Sequence, residues 1–115
     1  MESVRQQRVA RLIQRDLGEI FQRETRDRFG NVLITVTKVH VTRDLAIAHV
    51  YLSLLMKGDK KAMIEKISSQ SGEIRYHLGL KIGKQVRVVP ELRFHEDDSL
   101  DYIDRIDSLL NNPSD

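Results

Sequence analysis

Between residues 3 and 28 apolar side chains recur at steps of three and four: Val9, Ile13, Leu17, Ile20 and Phe21. This spacing predicts one long helix with a single core-facing stripe, uninterrupted by proline. Arg5, Arg8, Arg11 and Arg15 gather on another side. At 100° per residue they centre roughly 130° from the stripe, so packing leaves them in water. After Phe29-Gly30-Asn31, a turn signal, the period changes to two. Val32, Ile34 and Val36 face one way and Thr35 and Thr37 the other. Further on, Ala46, Ala48, Val50 and Leu52 alternate with His49, Tyr51 and Ser53. The connection through Val41-Thr42-Arg43-Asp44 is too short for a parallel crossover, so the two strands are expected to pair antiparallel.

Asp59 follows the Lys57-Gly58 break and caps a predicted helix carrying Ala62, Met63, Ile64 and Ile67. Ser68-Ser69-Gln70-Ser71-Gly72 then disturbs it, because serine hydroxyls compete for the backbone and glycine loses extra entropy on ordering. Ile74, Leu78 and Ile82 restart the helical spacing, which predicts two helices with a kink at Gln70, Ser71 and Gly72. A last strand is expected with Val86, Val88, Leu92 and Phe94 on one side and Arg87, Glu91, Arg93 and His95 on the other. Pro90 confines that strand to an edge or a bulge. Asp98 or Ser99 caps a short helix from about Leu100 to Leu110, and Asn111–Asp115 is expected to fray. The expected fold class is α+β, in the order α-β-β-α-kink-α-β with a short C-terminal helix, forming one domain over residues 1–110.

A length of 115 residues holds one core, and 40% apolar residues are enough to build it. With no cysteine, disulfides, thiolate zinc sites, iron–sulfur clusters and a cysteine nucleophile are all excluded. The opening Met-Glu-Ser-Val-Arg-Gln-Gln has no apolar signal region and no run is long enough to span a membrane, so a cytoplasmic location is expected by elimination. His40, His49, His77 and His95 lack metal-ligand spacing, and His95-Glu96-Asp97-Asp98 reads as a helix start. Neither a nucleophile elbow nor a phosphate or dinucleotide loop occurs, so no cofactor and no enzymatic activity are expected.

Charge changes the picture because it is unevenly placed. Residues 1–37 carry seven bases against five acids, residues 38–95 eleven against five, and residues 96–115 one against seven. A basic body with an acidic tail points to an anionic partner, nucleic acid ahead of membrane, since no helix joins a basic face to a strongly apolar, aromatic one. The candidates for phosphate contact are Arg5, Arg8, Arg11 and Arg15 on the first helix, Arg43 in the hairpin, and Arg75, Lys81, Lys84 and Arg87, near which Glu73 is the only acid in sequence. Phe21, Phe29 and Phe94 sit in apolar patterns and leave no evident stacking platform, which favours reading of shape and phosphate over bases. The alternative is a protein-interaction module that uses the acidic tail or the exposed sheet face, with the basic residues merely solvated.

Four stretches in register carry a family resemblance: Arg5-Gln6-Gln7-Arg8-Val9, Val39-His40-Val41-Thr42-Arg43-Asp44-Leu45-Ala46-Ile47-Ala48, Ser71-Gly72-Glu73-Ile74-Arg75 and Val89-Pro90-Glu91-Leu92-Arg93-Phe94. From about residue 3 to residue 110 the chain resembles the ribosome-binding factor A family, a type II KH-like domain. The resemblance implies an RNA-binding assembly factor. Such a factor binds the small ribosomal subunit and its rRNA, immature particles included, assists late maturation, leaves before translation and catalyses nothing. It is expected to act as a monomer. Ordinary KH domains clamp a nucleic-acid backbone with a G-x-x-G loop. The family instead has an Ala-x-Gly kink, which Gly72 matches while Gln70 stands at the alanine position. Gly79 and Gly83 are four apart and do not supply the loop.

Overall fold

The first helix is started by a reciprocal cap. Gln6 N donates to Ser3 Oγ (3.1 Å) and Ser3 N donates to Gln6 Oε1 (2.8 Å), so two backbone donors that the helix cannot satisfy are both paired. The computed structural model describes residues 2–97, with the backbone alone over 24–27. Its elements are α1 (Val4–Phe29), β1 (Leu33–Val41), β2 (Ile47–Leu55), α2 (Lys60–Ser69), α3 (Ser71–Ile82) and β3 (Glu91–Glu96). Gly30 ends α1 at φ +77°, a left-handed conformation that is costly for residues with a Cβ. Asp59 caps α2 by accepting from Ala62 N (3.2 Å).

The sheet has the order β1-β2-β3, with β1 antiparallel and β3 parallel to β2. The α2–α3 unit is the crossover that a parallel neighbour requires. α1 packs on β1 and α3, while α2 and α3 pack on β3. Between the layers lies one core that includes Ile13, Leu17 and Phe21 of α1, Val50 and Leu52 of β2, and Ile67, Leu78 and Ile82. The opposite face of the sheet has no helix against it among the described residues. This is the α+β, KH-like architecture expected from the sequence.

Three details depart from the pattern. In β1 the inward residues are Ile34 and Val36 and then Val39 and Val41, because the register slips between Val36 and Lys38. Thr37 is the extra residue of a bulge, which reverses the alternation and keeps the later valines inside. Gln14 Nε2 of α1 donates to the carbonyls of Val36 (3.3 Å) and Thr37 (3.4 Å) at that point.

The last strand starts at Glu91, not Val86; residues 83–90 are turn, bend and irregular chain, and Val88 is 66% exposed. Pro90 has no N–H for a ladder, and pairing begins only with Glu91 N donating to Ala46 O (2.9 Å). Finally, the break between α2 and α3 falls on Gln70 (φ −105°, ψ 13°), while Gly72 lies within α3 without a positive φ. The short helix expected over 100–110 and the fraying end 111–115 lie outside the described residues.

Candidate nucleic-acid interface

The start of α1, the β1–β2 turn and residues 85–88 enclose a cavity of about 470 Å³. Arg5 and Arg8, one helical turn apart, and Arg87 stand exposed around it, while Val9, Leu12, Leu45 and Val86 supply apolar walls. Between the two helix arginines, Gln6 is buried and its Nε2 donates to Val41 O (2.9 Å), which fixes the start of α1 beside the end of β1. A local network builds the turn. Leu45 N donates to Thr42 O (2.8 Å), the Thr42 hydroxyl donates to Asp44 Oδ1 (2.7 Å), and Ala46 N donates to that same oxygen (3.1 Å). Within this network Leu45 is held at φ +62°, and it is the one non-glycine residue with positive φ among the described residues. Such a conformation costs on the order of 1 kcal/mol and persists where its surroundings over-determine it. Among the described residues, Asp44 is the only acid lining the cavity. The Thr42 hydroxyl first, and then the Ala46 amide, hold its carboxyl below the usual carboxylate range.

The other candidates divide by what they touch. Arg11, on the same side of α1, Arg43 in the turn and Lys84 after α3 are exposed, and like Arg5, Arg8 and Arg87 they make no ion pair with a described residue. Arg15 Nε pairs with the buried Asp16 (3.2 Å), and this hydrogen bond raises the guanidinium pKa further. Arg75 Nε donates to the carbonyls of Val89 and Pro90 (both 3.1 Å), joining α3 to the segment that precedes β3. Lys81 Nζ pairs with Glu19 Oε2 of α1 (3.0 Å), so the expectation that only Glu73 lies near these bases is corrected by the packing of α3 on α1. Glu73 itself pairs with Arg28 (2.7 Å), whose hydrogen bond and charge hold the carboxyl below its ordinary range. At the helix break, Gln70 Oε1 accepts from Arg28 Nη1 (3.3 Å). Gly72 and Ser71 lie in the first turn of α3.

One cluster escaped the sequence. On the open face of the sheet, rings of four residues form a contiguous row. Centroid separations are 6.3 Å for His40 and His49, 5.1 Å for His49 and His95, and 5.1 Å for His95 and Tyr51, with interplanar angles of 23°, 29° and 30°. Lys38 Nζ lies 5.9 Å from the Tyr51 ring centroid. His49 Nδ1 and His95 Nε2 are 2.9 Å apart, a separation that admits one proton between them. The His49 pKa is lowered, first by burial and then by the charges of His95, Arg93 and His40. The outward alternation of His49 and Tyr51 was the available signal. Only the register, His40 opposite His49 and Tyr51 beside His95, shows that they meet. Among the described residues no group of three or more His, Cys, Asp or Glu side chains is arranged so that it could hold a metal ion, and no helix is long and apolar enough to cross a membrane.

An α+β, KH-like domain with an arginine-rimmed cavity is the class that these features define. Residues 5–110 match the ribosome-binding factor A family, and the chain belongs to that family. It is 46% identical over 110 residues to ribosome-binding factor A of Cytophaga hutchinsonii, covering 96% of this chain and 83% of that one. It is 43% identical to the Flavobacterium johnsoniae protein of the same name, over 96% and 85% of the two chains. Among solved structures, ribosome-binding factor A from Thermus thermophilus superposes with a TM-score of 0.65 at 20% identity, over 79% of this chain and 94% of that one. A homology model of the Thermus protein, fitted into a cryo-EM map of a 30S complex, gives 0.60 at 23% identity over 76% and 89%. At these identities the structural matches establish the fold.

Proposed function

We propose that this protein binds the small ribosomal subunit through non-catalytic contact with its rRNA and assists late maturation of that RNA, immature particles included. In this reading it works in the cytoplasm as a monomeric, single KH-like RNA-binding domain that needs no cofactor. Family membership supports the reading, as does the relative fitted into a 30S complex. The observation that carries it is the convergence of Arg5, Arg8 and Arg87, from two segments far apart in sequence, around one site where the lining acid, Asp44, is already engaged in its own turn. Guanidinium forks match phosphate oxygens two at a time, and charges without an ion-pair partner among the described residues can be compensated by RNA.

The test is sedimentation with mature and immature small subunits across a salt series. Co-sedimentation should weaken steeply with salt. Changing Arg5, Arg8 and Arg87 to glutamine should flatten the slope of log K against log salt by about 0.7–0.9 for each phosphate that is no longer neutralised. Exposed arginines can be replaced at a stability cost of about 0.5 kcal/mol or less, so a thermal melt should confirm an intact fold. Absence of binding to either particle would overturn the proposal. A second reading has its own observation: Tyr76 and Leu80, four residues apart on α3, are 64% and 69% exposed and offer an apolar contact to a protein. Salt-tolerant binding to one purified ribosomal protein would favour that module.

A further inference from the structure

A surface that only neutralised phosphate could be flat and polar, since phosphate contacts fix register without reading bases. The cavity at the start of α1 is concave, and apolar side chains line it beside the charged ones. Its three guanidinium groups stand around walls of Val9, Leu12, Leu45 and Val86, side chains that offer no hydrogen-bonding group. An RNA duplex keeps its bases stacked inside and presents phosphate and ribose, so it would leave those walls in water. A single unstacked nucleotide presents both complements, a flat base with large apolar faces and a negatively charged phosphate on either side. A cavity of about 470 Å³ is of the size that encloses a ligand of that class. The strained residue of the hairpin, Leu45, is also one whose side chain forms the wall, so the turn's hydrogen bonds maintain the cavity's shape. An acidic peptide fits less well, because its backbone amides would meet valine and leucine and lose their hydrogen bonds to water.

We propose that this cavity takes one unstacked nucleotide of single-stranded RNA, the base against the apolar walls and the flanking phosphates on Arg5, Arg8 and Arg87. This rests on the rRNA-binding reading above and adds to it a base-accepting site.

The experiment compares three probes by fluorescence anisotropy over a salt series: a short single-stranded RNA, a ribose-phosphate oligomer of the same length and charge without bases, and a hairpin duplex. The full-length protein should bind the intact single strand about tenfold more tightly than the base-free oligomer, with the same salt slope for both, because base burial is apolar and phosphate contact is unchanged. Val86→Phe, which fills the cavity, should erase that preference and leave the slope as it was; comparison of the probes on the unmodified protein tests the site even if this variant fails to fold. Equal affinity for the intact and base-free strands, with a slope that falls in the arginine variants, would overturn the nucleotide site and leave the rRNA reading standing. Arginine variants that keep the full slope on small subunits would overturn the nucleotide site, and absence of binding to both mature and immature small subunits would overturn the rRNA reading with it. Tighter binding of an acidic peptide than of single-stranded RNA would overturn the nucleotide site in favour of a protein partner.

Discussion

At the scale of single residues, His49 should make folding sensitive to pH. Its pKa is lowered in the folded protein, chiefly by burial, so below the ordinary histidine range near 6.5 the unfolded chain takes up a proton more readily than the folded one. Stability should be fully present above that range and should decline as pH falls through it, until the folded pKa is passed. Urea melts at pH 7.5 and 5.5 should show the loss. His49→Gln should flatten it, and an equal loss in that variant would place the cause elsewhere. Gln6 is a second point of leverage, being 5% exposed and bonded through Nε2 to Val41 O. Gln6→Leu should cost about 1–3 kcal/mol in chemical denaturation by removing that donor from a buried carbonyl, whereas the same change at the exposed Gln7 should do little.

At the scale of elements, two glycines of the α3 region behave oppositely. A Cβ added at Gly72 meets nothing within 4 Å, and its φ is not positive, so Gly72→Ala should raise stability by about 0.5 kcal/mol through lower backbone entropy in the unfolded chain. A Cβ at Gly83 would stand 2.6 Å from the Gly79 carbonyl oxygen, which is backbone and cannot swing away. Gly83→Ala should therefore cost about 1–3 kcal/mol, as overpacking does. Denaturation midpoints that moved in the same direction for both would refute this account of the helix. The kink was legible in Ser68-Ser69-Gln70-Ser71-Gly72, yet the residue that leaves helical geometry is Gln70, which Arg28 holds from another element.

At the scale of the whole molecule, charge is divided between a basic body and the acidic residues 96–115, which sum to −6. Converting Asp101, Asp104 and Asp107 to asparagine should tighten nonspecific RNA binding in filter assays at low salt, with the difference fading as salt screens it; no change at low salt would show that these charges act too far from the RNA. The sequence alone determined the elements that depend on local pattern: the α1 stripe of Val9, Ile13, Leu17, Ile20 and Phe21, the hairpin, the Asp59 cap and the break near Gln70 are properties of neighbouring residues in period and propensity. It also showed that the first-helix arginines face water, since a helix has one inward side. Tertiary structure alone decided which of the nine candidate bases share a site. Arg87 joins Arg5 and Arg8 only because the chain after α3 returns past the start of α1, and the same packing directs Lys81 to Glu19 and Arg75 to the Val89 and Pro90 carbonyls. The histidine row and the Thr37 bulge likewise depend on strand register, which is set by the fit of one strand against another and by no period within either.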